Sequence, residues 1–141
     1  MRNASDLTKI VDMKKTGPNN HCPEGYRSTC PIANVLDIVG DKWTLLVVRD
    51  LLLSGKHRYG EFQASPEAIP TNILADRLKR LEAAGLVTKE FYQDNPPRAE
   101  YFLTRKGADL GPVLQAMGQW GQKYIPGVVI PDRFKQPDIR D

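Results

Sequence analysis

The chain has 141 residues, of which 40% are apolar and 26% charged, with a mean hydropathy of −0.45. These values describe one ordinary soluble domain rather than a disordered or membrane-embedded chain. Twenty basic against 17 acidic residues leave +3, a surplus that permits a polyanionic partner without demanding one. The longest unbroken apolar runs are 45–48 and 51–53, far short of the roughly 20 residues a spanning helix needs. Residues 1–15 contain no apolar leader core, so a cytoplasmic location and no membrane partner are expected. Cys22 and Cys30 are too few for a disulfide scaffold, and their spacing with His21 does not suit structural zinc. No metal and no cofactor are expected.

Residues 1–29 read as a tail or arm broken by Gly17, Pro18, Pro23 and Gly25, with a short amphipathic helix marked by Leu7, Ile10 and Val11. Ile32, Val35, Leu36 and Val39 recur at i, i+3, i+4, i+7 and predict a first helix, opened by Pro31 and ended at Gly40. A second helix, Lys42 to Leu53, is apolar nearly all round, which marks it as the core helix. Arg58, Tyr59 and Phe62 open a short third helix that Ser65-Pro66 ends.

Residues 71–84 give the clearest helical pattern. Leu74, Leu78 and Leu81 share one face, while Asn72, Asp76, Lys79 and Arg80 point the other way and Arg77 lies on the flank. Gly85 is placed as the cap. Two strand-like runs, Leu86 to Tyr92 and Ala99 to Thr104, flank the turn-forming segment 93–98. A final helix is expected from Arg105 to Tyr124, capped by Thr104 and kinked at Gly111-Pro112, with Leu110, Val113, Leu114, Met117 and Trp120 as its apolar stripe. Residues 122–141 read as a loose C-terminal tail.

Three helices, a hairpin and a last helix define an α+β, mainly helical class: a helix-turn-helix extended by a β-hairpin wing. A reading helix must bury one side and offer polar side chains to a DNA groove on the other, and the 71–84 segment does both. Asn72 suits bidentate pairing with adenine, and Thr71 suits a thymine methyl or a phosphate. Lys79 and Arg80 suit phosphate or guanine. Asp76 is either a cytosine reader or the partner that holds Lys79 or Arg80. Arg98 beside Pro96-Pro97 suits a minor groove or the flanking backbone. Lys42 and Arg58, near helix starts, are phosphate ligands or plain surface. The apolar stripe of the last helix exceeds what a small core needs, which points to a homodimer on paired half-sites; the alternative is that it packs only on Trp43 and its neighbours. No phosphate-binding glycine loop, nucleophile elbow or zinc-protease motif occurs, so an enzyme is not expected.

The blocks CPIANVLDIVGDKWTLLVVRDLL, RYGEFQ, IPTNILADRLKRLEAAGLV, PPRAEYFLTRKG and QWG resemble, in unbroken order over about residues 30–121, the HxlR-type helix-turn-helix regulators, distant relatives of MarR-type winged-helix proteins. The resemblance implies a homodimeric DNA-binding transcription factor whose terminal helices build the dimer. It departs from the family at Pro70-Thr71, where a Ser-Pro start to the reading helix is common. It also places the family's recurrent cysteine at Cys30, an oxidant sensor in some members, with Cys22 as a resolving partner. The start of a helix favours a thiolate there, while a small buried thiol is the alternative. A small ligand between core and dimer helices is equally open as an effector. A winged helix used only for protein–protein contact is the alternative function.

Overall fold

The computed structural model describes residues 24–129 and 138–141. The expected helix at Leu7, Ile10 and Val11, together with His21 and Cys22, lies outside them. The chain divides after Gly40 into two compact units.

In the first unit, α1 (Pro31–Val39) starts from Cys30 in an extended conformation, with Pro31 in its first turn. Pro31 has no N–H to satisfy there, so the turn loses nothing by its presence. Gly40 closes the helix by donating its N–H to the Leu36 carbonyl at 2.7 Å. Arg27 pairs with Asp37 at 2.8 Å, and the Asn34 amide donates to the Ser28 carbonyl at 3.0 Å. Ile32, Val35, Leu36 and Ile38 of α1 are exposed.

The second unit contains α2 (Thr44–Leu53), α3 (Tyr59–Gln63), α4 (Thr71–Ala83), β1 (Val87–Asp94), β2 (Pro97–Leu103), α5 (Arg105–Ala108) and α6 (Gly111–Tyr124). Helix α2 begins two residues later than its apolar pattern suggests. The Asp41 carboxylate accepts the backbone N–H groups of Trp43 at 3.0 Å and Thr44 at 3.2 Å, so residues 41–43 are held as a turn. Val47, Val48, Leu51 and Leu52 of α2 pack with Phe62, Ile69, Leu74, Leu78, Leu81, Leu86, Val87, Tyr101 and Leu103 in one core. One acid is buried in this helix as well: Asp50 accepts from Ser65 Oγ at 2.6 Å and from Arg49 Nη2 at 2.9 Å. Lys56 Nζ in turn donates to Ser65 Oγ at 2.6 Å, and Arg49 reaches Glu67 at 2.7 Å. This cluster ties the turn between α3 and α4 to the core helix.

Helix α4 ends in a Schellman motif. Gly85, at φ +76°, donates to the Glu82 carbonyl at 3.0 Å, and Leu86 donates to the Leu81 carbonyl at 2.9 Å. A left-handed residue is required here, and glycine takes that conformation without steric cost. The chain leaves directly into the wing, a two-stranded antiparallel hairpin running from Val87↔Leu103 to Asp94↔Pro97. Both strands are longer than their patterns suggest. Only Asn95 and Pro96, joined by a cis peptide, lie between them. A register shift between Phe91 and Gln93 leaves Tyr92 as an extra, bulged residue.

The expected last helix is two helices. Thr104 Oγ1 accepts from the Gly107 N–H at 3.1 Å to cap α5, and donates to the Gly85 carbonyl at 2.6 Å. Pro112 falls in the first turn of α6, where it starts a helix rather than kinking one. The final residues 138–141 are docked rather than loose: Ile139 bridges Leu103 in parallel, and Arg140 donates its N–H to the Leu103 carbonyl at 2.7 Å. The Arg140 guanidinium lies 4.6 Å from the Phe102 ring centre, and Asp141 accepts the Arg105 N–H at 2.8 Å. Nearby, Tyr101 donates to the His57 carbonyl at 2.9 Å, and His57 Nδ1 sits 2.8 Å from the Tyr101 carbonyl oxygen. A carbonyl only accepts, so Nδ1 carries the proton. The outer edge of β2 is thereby covered, which protects it from pairing with another chain. Among the described residues no helix is long and apolar enough to cross a membrane.

Candidate nucleic-acid interface

Helix α4 is divided as a reading helix must be. Leu74, Leu78 and Leu81 are at most 1% exposed, while Thr71, Asn72, Asp76, Lys79 and Arg80 all lie on the open face. Pro70 is the N-cap and supplies no side-chain hydrogen bond. Gln63 at the end of α3 donates instead to Thr71 Oγ1 at 2.6 Å, so the two helices of the motif are linked at the point where the second begins. Among the described residues, the side chains of Asn72 and Lys79 have no hydrogen bond or ion pair, which leaves their donors available. Asp76 is engaged: it pairs with Arg77 and with Arg80, the latter at 3.0 Å. Arg77, on the flank, reaches Asp41 at 2.7 Å and fixes α4 to the start of α2. Burial pushes the Asp41 carboxyl up. The bonds from Thr44, Arg77 and the Trp43 and Thr44 backbone outweigh that burial and hold it well below the usual carboxylate range. Lys42, beside this anchor, is exposed, with Nζ 5.1 Å from the Trp43 ring centre.

A second group forms where α3 meets the wing. Arg58, Lys89, Phe91, Tyr92 and Arg98 line an open groove of about 790 Å³. Arg58 is the N-cap of α3, where the Glu61 carboxylate accepts its backbone N–H at 3.0 Å. The Arg58 guanidinium stacks 4.0 Å from the Tyr92 ring centre and reaches Glu100 at 3.4 Å. Arg98 belongs to β2, one residue inside the tip, and is exposed. Arg58 and Arg98 are among the residues expected from the sequence; Lys89, Phe91 and Tyr92, which share the groove with them, are not. The alternation Lys89, Glu90, Phe91 signals that Lys89 and Phe91 share a face. The Tyr92 bulge, which brings the ring to Arg58, leaves no such signal.

The stripe proposed for dimerisation is split by the fold. Leu110 and Leu114 are half-buried against the core, whereas Val113, Met117 and Trp120 are exposed, Trp120 at 64%. A largely apolar hollow of about 310 Å³ lies between α2 and α6, walled by Leu53, Leu114, Ile125, Val128 and Val129. Cys30 is half-buried at the N-cap of α1, where its backbone N–H donates to Ser28 Oγ at 3.0 Å.

Two helices joined by a pinned turn, the second polar on its outer face and running straight into a hairpin, define a winged helix-turn-helix. The chain belongs to the HxlR-like helix-turn-helix family, whose model matches residues 38–128. It is 38% identical over 96 residues to the uncharacterised HTH-type transcriptional regulator sll1512 of Synechocystis, covering 68% of this chain and 70% of that one. It is 39% identical over 95 residues to the uncharacterised HTH-type transcriptional regulator YdeP of Bacillus subtilis, covering 67% and 73%. Among solved structures it is similar to the redox regulator HypR in its oxidised form, at 36% identity and a TM-score of 0.59, covering 67% of this chain and 96% of that one. The reduced form of the regulator YodB from Bacillus subtilis superimposes with a TM-score of 0.57 at 27% identity, covering 71% and 98%.

Proposed function

We propose that the chain is a sequence-specific, DNA-binding transcriptional regulator that acts as a homodimer on palindromic operators and is not an enzyme. The observation that carries this is the division of α4, three leucines inside and Thr71, Asn72, Lys79 and Arg80 outside. In this reading α4 enters the major groove, Asn72 and Arg80 meet base edges or phosphates from points about two turns apart, and the wing brings Arg98 and Arg58 to the flanking backbone or minor groove. Lys42 adds a phosphate contact at the start of the core helix. The exposed apolar faces of α1 and α6 support a twofold pair, because a lone copy leaves Ile32, Leu36, Met117 and Trp120 in water.

Titration of fluorescent duplex DNA across a range of salt tests the reading. Binding falls linearly on a log–log plot against salt, and Lys79→Ala reduces the slope by about one if Lys79 meets a phosphate. A protein–protein module of the same fold shows no duplex binding and no such slope.

Thiol control is a second element of the proposal, supported by Cys30 at a helix start and by the likeness to a redox regulator solved in oxidised and reduced forms. Diamide shifts duplex affinity in the wild type and leaves Cys30→Ser and Cys22→Ser unchanged. An equal response in all three assigns Cys30 to packing. The hollow between α2 and α6 is the place for a small apolar effector in place of an oxidant.

A further inference from the structure

Four charges of alternating sign run without a gap from the base of the core helix to the open face of α4. Asp41 is the fixed end: its carboxylate takes two backbone N–H groups and the Thr44 hydroxyl. Arg77 Nε donates to Asp41 Oδ2 at 2.7 Å, and the other side of its guanidinium, Nη1, donates to Asp76 Oδ2. Arg80 Nε lies 3.0 Å from the same Asp76 oxygen, as an ion pair. The inner pair is the more enclosed, with the Asp41 side chain 27% and Arg77 17% exposed, against 48% for Asp76 and 63% for Arg80.

The geometry points to Asp76 as a positioning residue for Arg80 rather than a reader of DNA. This rests on the regulator reading above and deepens it by assigning where one part of the specificity comes from. A lone carboxylate on a surface that meets phosphates repels them. Here its charge is matched by two guanidinium groups before DNA arrives. The i, i+4 spacing with the acid on the N-terminal side is the favourable order on a helix. Arg80 is a flexible side chain with five donors. Because Asp76 approaches the Nε side of Arg80 as an ion pair, the terminal fork of the guanidinium remains available for bidentate contact with guanine or a phosphate. Arg77 prevents Asp76 from swinging away with Arg80, since its own Nε is held by Asp41. The row therefore converts a mobile cation into an aimed one, and it reduces the ordering cost that Arg80 would otherwise meet on binding.

A double-mutant cycle tests the assignment. The wild type is first used to select a duplex from a pool carrying 20 or so randomised base pairs, a span on the order of two helical turns. Asp76→Asn, Arg80→Ala and the double variant are then titrated against the selected duplex and against its single base-pair variants, with melting curves as a check on folding. Both single variants weaken binding or flatten preference at the same position, Arg80→Ala by about tenfold or more if it reads a base, and Asp76→Asn by less. On the Arg80→Ala background, Asp76→Asn changes nothing beyond about twofold, the precision of additivity in such cycles. Undiminished loss on that background means that Asp76 touches DNA itself and overturns the assignment. Wild-type or tighter binding by Asp76→Asn also overturns it, because the carboxylate is then only a repulsive charge. If the wild type binds no duplex at all, the regulator reading falls as well, an outcome separate from a cycle that binds DNA but adds.

Discussion

Replacing Asp50 by asparagine removes the one carboxylate held, among the described residues, inside the core of the second unit. The residue is 4% exposed, with Ser65 Oγ donating to Oδ2 at 2.6 Å and Arg49 donating to Oδ1 from Nε at 3.1 Å and Nη2 at 2.9 Å. An asparagine has one acceptor oxygen where the acid has two. It can keep Arg49 and turn its amide toward Ser65, but the Ser65 hydroxyl then loses its acceptor while still receiving Lys56. One hydrogen bond to a charged group is lost, worth about 1.5–3 kcal/mol. The weakened Arg49 contact adds little, because Arg49 is 27% exposed and retains Glu67. A total of about 2–3 kcal/mol lowers the melting temperature by about 10 °C in a chain of this size. Thermal and urea unfolding followed by circular dichroism measure it, with an unchanged urea slope as the sign that the loss is in the folded state. Ser65→Ala falls in the same range, and the pair together lose less than the sum. A change below about 0.5 kcal/mol for Asp50→Asn, the range of ordinary surface substitutions, refutes the view that this cluster holds the turn.

The Asp41 carboxyl is depressed in the folded chain, so its stabilisation is complete above the ordinary carboxylate value near 4 and is lost as pH falls through the depressed one. Asp41→Asn should therefore melt lower than wild type by a constant amount between pH 8 and 5, with the gap closing in stronger acid; urea midpoints against pH check the sign. At Gly107 a Cβ would lie 2.1 Å from the Leu86 carbonyl oxygen and 2.9 Å from Leu103 Cδ2, so Gly107→Ala costs about 1–3 kcal/mol as an overpacked site; a melting temperature within a degree or two of wild type contradicts the contact. Trp120→Asp, at a position 64% exposed in one copy, keeps the folded circular-dichroism spectrum, while sedimentation reports a single copy in place of two and the melting temperature falls by no more than the lost association accounts for. A dimer that survives the change moves the interface elsewhere.

Periodicity alone carried α4 and the wing, because three leucines at i, i+4, i+7 and a Gly85 cap leave few alternatives. It also placed Asn72, Asp76, Lys79 and Arg80 on one open face and set Arg77 apart on the flank. It misjudged ends. Lys42 lies before α2 because the Asp41 carboxylate takes the first amides, a capping choice the apolar pattern does not encode. The last helix is two because Thr104 caps a short turn of its own and Pro112 starts a new helix instead of bending an old one. Asp50 stands with Arg49 between two apolar runs, where nothing local says whether an acid points in or out. The Tyr92–Arg58 stack depends on a bulge, and the docking of Arg140 on Phe102 joins segments far apart in the chain. Both are products of tertiary packing.

The most direct test of the central claim counts copies on DNA. A duplex selected by the wild type from a randomised pool is titrated with protein under analytical sedimentation and then footprinted. The account predicts two chains per duplex and two inverted half-sites centred about 10 base pairs or a multiple apart, as a twofold pair of α4 helices requires. A saturating complex with one chain, or a bound sequence without inverted symmetry, contradicts it.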